Sequence, residues 1–258
     1  CITHLKKTWG KGLDAFSTQN AAHDVAALMK AVPTLGERTL FGVSYGTYWA
    51  IRTLLVAPQV ADRVILDSVC PPTGCNLKFY NLNHSLVTQQ YMADCAKDAV
   101  CGKHLGPKPW AVLTGLPAKL AKGHCSAIGS LAKWSSLRLY LGRLVQSMFW
   151  RPLIPVLVHR INRCTAGDVA ALKVFSAFSE QNQTQQAQQP GMDSVLLGTH
   201  IRMSELYGNP PATNQEIAAE DAKAVVSYSP IDATAKLAKL WPRYPFPAEA
   251  KTWQSWQG

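Results

Sequence analysis

The chain has 258 residues, 47% hydrophobic and 16% charged, a globular balance that excludes a wholly disordered protein. Its formal charge is +10, and the stretch from Thr73 to Val174 carries the whole excess, with thirteen Lys and Arg against Asp94, Asp98 and Asp168. These basic residues are spread singly along amphipathic segments instead of clustering with aromatics in a nucleic-acid module, so no nucleic-acid partner is expected. Attraction of acidic substrates or anionic surfaces fits the charge better. No apolar run of about 18 residues exists, so no membrane span is expected.

Residues 1–18 hold Trp9, Leu13 and Phe16. Ser17 and Thr18 then precede an amphipathic helix predicted over about Ala21 to Val32, ended by Pro33 and Gly36. His23 and Asp24 are neighbours on that helix and project about 100° apart, which points to a structural role. Thr39 to Val43 is a short, partly β-branched apolar run and reads as a buried strand. Tyr48 to Val56 reads as a helix. Between them, Gly42-Val43-Ser44-Tyr45-Gly46 fits the G-x-S-x-G nucleophile elbow.

That chemistry needs a serine on a sharp strand-to-helix turn, with glycines on both flanks because side chains there would crowd the turn. Ser44 is the candidate nucleophile. The N–H of Tyr45 is the candidate first donor of an oxyanion hole, and the dipole of the following helix supports negative charge beside it. Arg63 to Asp67 is a second strand, and the order helix–strand–helix–strand implies a parallel pair. Asp67, at that strand's C-terminal end, is read as capping the next turn, although such a position also suits a residue that orients a histidine.

After Pro71-Pro72 the pattern becomes helical, with helices predicted over roughly 85–98, 110–121, 127–148, 151–163 and 167–180. Residues 179–191 are rich in Gln and poor in apolar side chains, and are predicted as an exposed, mobile loop. Gly191 to Tyr207 returns to ordered chain. The end is aromatic and proline-rich, with Trp241, Pro242, Tyr244, Pro245, Phe246, Pro247, Trp253 and Trp256, and reads as a connecting arm.

The seven cysteines are Cys1, Cys70, Cys75, Cys95, Cys101, Cys125 and Cys164. Their spacings fit no zinc site, so disulfides in an oxidising compartment are expected; an odd count leaves one thiol free or paired outside the chain, and connectivity is not legible. Two acceptor sequons, Asn83-His-Ser85 and Asn182-Gln-Thr184, agree with secretion and glycosylation. The chain opens at Cys1 without a signal-peptide pattern, which reads as a processed product or a fragment.

Several stretches resemble the secreted tripeptidyl-aminopeptidase and proline-iminopeptidase branch of the α/β-hydrolases. They are Phe16-Ser-Thr-Gln-Asn-Ala-Ala-His-Asp24, Phe41-Gly-Val-Ser-Tyr-Gly-Thr-Tyr48 and Val64-Ile-Leu-Asp-Ser-Val-Cys-Pro-Pro72. Further along they are Leu153-Ile-Pro155, His159-Arg-Ile-Asn-Arg-Cys164, Ile201-Arg-Met-Ser-Glu-Leu-Tyr207 and Trp241-Pro-Arg-Tyr244. The resemblance implies an α/β fold, here an α/β-hydrolase core fragment (parallel βαβ with the nucleophile elbow) with a helical lid insertion. Residues 1–72 would be the core piece, 73–207 the lid, and 208–258 an arm returning toward missing core.

It implies a secreted serine exopeptidase, without metal or organic cofactor, that acts on a peptide substrate with a free N-terminus through an acyl-enzyme on Ser44. Glu205, an acid in a basic insertion, is the candidate to hold the substrate amine. The resemblance also places the second oxyanion donor before Cys1 and the catalytic Asp and His beyond Gly258. His200 is the one histidine near the required order, and Asp232 follows it instead of preceding it. The chain on its own is therefore expected to be inactive. An esterase or lipase, and a non-catalytic binding protein derived from a truncated hydrolase, are the alternatives.

Overall fold

The computed structural model describes residues 2–33, 36–71, 75–186, 194–207, 212–228, 240–242 and 244. In chain order the elements are α1 (Ile2–Trp9), α2 (Thr18–Ala31), β1 (Thr39–Val43), α3 (Tyr45–Val56), β2 (Arg63–Asp67), α4 (Tyr80–Lys97) and α5 (Ala99–Leu105). Then follow α6 (Pro109–Ala121), α7 (Trp134–Gln146), α8 (Leu153–Arg163), α9 (Ala166–Gln186), α10 (Val195–Glu205) and α11 (Asn214–Lys223). Three short 3₁₀ helices lie between them. The chain folds into two units, each packed mainly on itself. The first comprises Cys1–Leu77, Asp193–Thr213 and Ala235–Gly258, and the second Lys78–Met192 and Asn214–Thr234.

In the first unit β1 and β2 pair in parallel, in a register running from Thr39 opposite Arg63 to Val43 opposite Asp67. The connection between them runs through α3, because parallel strands cannot be joined by a tight hairpin. Helix α2 packs on α3. Its buried positions include Ala22 and Ala26, small side chains that let two helices approach closely, while α3 buries Ala50, Ile51 and Leu54. Ser17 starts α2: its hydroxyl accepts the Asn20 N–H at 3.3 Å, satisfying one of the orphan donors of a helix N-terminus.

The expected α/β class, an α/β-hydrolase core fragment with a helical lid, is overturned. The described residues are mainly helical, and they contain one sheet, of two strands. Phe41 is 63% exposed, and Val43, Ile65 and Val64 are exposed on the same ribbon. Such a narrow ribbon has too few neighbours to bury both faces, so it is not the centre of a layered α/β core. The two apolar runs do form strands; the burial expected of Thr39 to Val43 is what fails.

The second unit is helical with its own core, built around Met92, Leu113, Leu116, Leu137, Ile154 and Ile161. Two disulfides staple it, Cys95–Cys101 and Cys125–Cys164, and a third, Cys70–Cys75, lies in the first unit. Cys1 lies outside the described residues. The helix predicted over 127–148 is broken: Gly129 has φ +65°, a 3₁₀ turn covers Ser126–Ala132, and α7 begins only at Trp134.

The Gln-rich stretch is also not a loop at its start, since α9 continues to Gln186; residues 187–191 lie outside the described residues. Gln has a good helix propensity, which its low hydrophobicity obscures in a pattern-based reading. In the first sequon, Asn83 is exposed on α4 but Ser85 is buried, with its hydroxyl accepting the Val225 N–H at 2.9 Å. Of the C-terminal aromatic segment, Leu240, Trp241, Pro242 and Tyr244 are described, and Pro245 onward lies outside. Among the described residues no helix is long and apolar enough to cross a membrane.

Candidate active site

The candidate site is the turn from β1 into α3. Ser44 has φ 54° and ψ −123°, a conformation that L residues rarely hold. Three contacts maintain it. The Ser44 N–H donates to the Asp67 carbonyl at 3.0 Å, continuing the β1–β2 ladder by one bond. The Ser44 carbonyl accepts from both the N–H and the hydroxyl of buried Thr47, at 3.0 and 2.7 Å. Thr47 Oγ1 in turn accepts the Cys70 N–H at 2.8 Å, which ties the elbow to the chain beyond β2.

Gly42 sits directly beneath the turn, where a Cβ would meet the Gly46 carbonyl oxygen at 2.5 Å, so only glycine fits. Gly46 is different. Nothing lies within 4 Å of where its Cβ would be, so the second glycine of the motif is not demanded by crowding within the described residues. Ser44 is exposed. Tyr45 is the first residue of α3, so its N–H is one of the four that no helical carbonyl reaches, and the helix dipole adds partial positive charge there. The Ser44 hydroxyl and the Tyr45 N–H therefore lie on consecutive residues.

Behind the turn lies a polar cluster that the sequence points to only at Glu205. The Glu205 Oε1 accepts the Thr18 N–H at 2.8 Å, at the start of α2. Its Oε2 accepts from the Tyr48 hydroxyl at 3.2 Å and lies 3.4 Å from Arg52 Nη2. Arg52 also donates to the Tyr48 oxygen at 2.8 Å and to Gln19 Oε1 at 3.2 Å. The side chains of Arg52 and Glu205 are 1% and 0% exposed. Tyr45 shares a hydroxyl hydrogen bond of 2.6 Å with Thr18, and burial pushes its phenol up to about 12. Burial likewise raises Tyr48. The cluster ties α2, α3 and α10 together, and no Glu205 oxygen is left exposed to a substrate amine.

Among the described residues no histidine or carboxylate side chain is bonded to the Ser44 hydroxyl. His23 is exposed and pairs with Gln19. His200 is buried and accepts the Trp241 indole N–H at 3.0 Å; burial pulls its pKa down. His84, His124 and His159 each bond a backbone carbonyl of the second unit. Asp67 is exposed and accepts the Ser68 hydroxyl at 3.1 Å. Among the described residues no three His, Cys, Asp or Glu side chains are grouped to hold a metal ion.

No protein-family model, no curated protein and no solved structure matches this chain.

Proposed function

We propose that the chain carries the nucleophile half of a serine acyl hydrolase, with Ser44 as nucleophile and the Tyr45 N–H as oxyanion donor. The observation that supports this reading is the strained, exposed conformation of Ser44 over a glycine that no other residue can replace. Strain of this kind costs on the order of 1–3 kcal/mol and gathers where function needs it.

In the reaction, the Ser44 oxygen attacks the substrate carbonyl as its proton passes to a base. The C–N or C–O bond then breaks with proton return to the leaving group, and water hydrolyses the resulting serine ester. A peptide with a free N-terminus is the proposed substrate class, on the strength of the stretches that resemble secreted exopeptidases. Three disulfides support an extracellular or other oxidising location.

Because no imidazole is bonded to Ser44 among the described residues, the chain on its own is proposed to be nearly inactive. The test is chemical rescue. With p-nitrophenyl acetate, added imidazole should accelerate acylation of the chain beyond imidazole's own catalysis, and Ser44→Ala should abolish the excess. Equal rates in both would remove Ser44 as nucleophile. Comparison of an aminoacyl p-nitroanilide with the ester then separates peptidase from esterase. The absence of a base at Ser44 among the described residues also favours a second reading, a binding protein that keeps the elbow without turnover; this is the outcome if no excess acylation is rescued.

A further inference from the structure

The helical unit holds a cavity of about 620 Å³ that the chemistry of Ser44 does not use. We propose that it binds a small amphipathic carboxylate, apolar along its body and anionic at one end. The volume falls within the roughly 300–1,000 Å³ of small-molecule sites. Its walls are α4, α5 and α8, with Tyr91, Val100, Leu105, Pro152, Pro155 and Val156 giving an apolar surface. The Cys95–Cys101 disulfide forms part of the wall and pins α5 to the end of α4, so the cleft is covalently braced.

The polar groups along this surface divide by availability. Asp94 is taken by Lys97 at 3.1 Å. Asp98 Oδ1 caps α5, accepting the N–H groups of Val100 and Cys101 at 3.0 and 2.7 Å. His104 and Arg160 keep N–H donors that no group among the described residues takes. His104 lies six residues beyond Asp98, about 9 Å along the helix axis, and its ring makes no hydrogen bond within the described residues. Its imidazole centroid is 5.1 Å from that of His159. His159 Nδ1 donates to the His104 carbonyl at 3.0 Å, which leaves its Nε2 as an acceptor. Arg160 gives one N–H to buried Asp168 at 3.1 Å and keeps its remaining donors. The His104 imidazole and the Arg160 guanidinium, each with N–H groups to spare, thus line an otherwise apolar cleft, inside a run, Lys97 to Arg163, where eleven basic residues meet one acid. A carboxylate seated there satisfies those donors, and an apolar tail covers Val100 and Val156, which are 69% and 44% exposed.

The experiment is a titration of the full chain with anilinonaphthalene sulfonate, followed by displacement with decanoate or decanol. The expected result is saturable binding at one site, displaced by decanoate about tenfold more effectively than by decanol. Val156→Glu and His104→Asp, both at solvent-accessible positions, should each weaken binding about tenfold or more while circular dichroism stays unchanged. Non-saturable binding, equal potency of decanol, or undiminished affinity in both variants would overturn the proposal.

Discussion

The Glu205 carboxylate and the Arg52 guanidinium meet at 3.4 Å with essentially no solvent exposure, joining α10 to the helix that carries Ser44 at its start. A buried pair of this kind is costly to break, because the surviving charge stays desolvated. Glu205→Ala is therefore expected to destabilise the first unit by about 3–5 kcal/mol, read as a shift in the urea midpoint. Arg52→Met combined with Glu205→Leu should recover most of that loss. A Glu205→Ala chain as stable as the parent would show that the carboxylate is solvated.

The two glycines of the elbow should behave oppositely. Gly42→Ala drives a Cβ into the Gly46 carbonyl and is expected to cost about 1–3 kcal/mol together with any rescued acylation at Ser44. Gly46→Ala meets nothing within 4 Å and adds helix propensity in the first turn of α3, so stability should hold or rise by up to about 1 kcal/mol. Thermal melts of the two variants check this directly.

Ser44 itself holds positive φ, which glycine adopts without the Cβ penalty. Ser44→Gly should therefore be about 1 kcal/mol more stable than Ser44→Ala, although both lack the nucleophile. Identical melting points would mean that the turn stores no strain.

Cys125 and Cys164 close a 39-residue separation, the longest of the three disulfide loops. In the chain-entropy account its removal in a Cys125→Ala, Cys164→Ala chain costs about 4 kcal/mol, against about 2 kcal/mol for Cys70–Cys75. Denaturant titration of the two double variants should rank them in that order.

Buried Asp168 accepts hydrogen bonds from Arg163, which is the largest cause holding its carboxyl well below the usual range, aided by Thr165; Arg160 also donates to it. A depressed folded pKa means that the contribution to stability is complete above the unfolded value of about 4 and is lost as pH falls toward the folded one. Acidification from pH 5 to pH 2 should therefore destabilise the parent more than Asp168→Asn, measured as the slope of melting temperature against pH.

Local signals in the chain determined both strands to the residue, the placement of Ser44 between strand and helix, and most of the helices of the second unit. Those signals are short-range: β-branched runs bounded by glycine and proline, amphipathic periodicity and turn residues. Tertiary structure alone decided the rest. Only folding brings Glu205 to Arg52 across 153 residues, pairs Cys125 with Cys164, and turns the Asp67 carbonyl to the Ser44 N–H. It also leaves Phe41 and Ile65 exposed on a two-stranded ribbon, which an apolar strand pattern by itself reads as buried. Periodicity reports which face of an element is apolar; what that face meets depends on which distant segments pack there, and no local pattern carries that information.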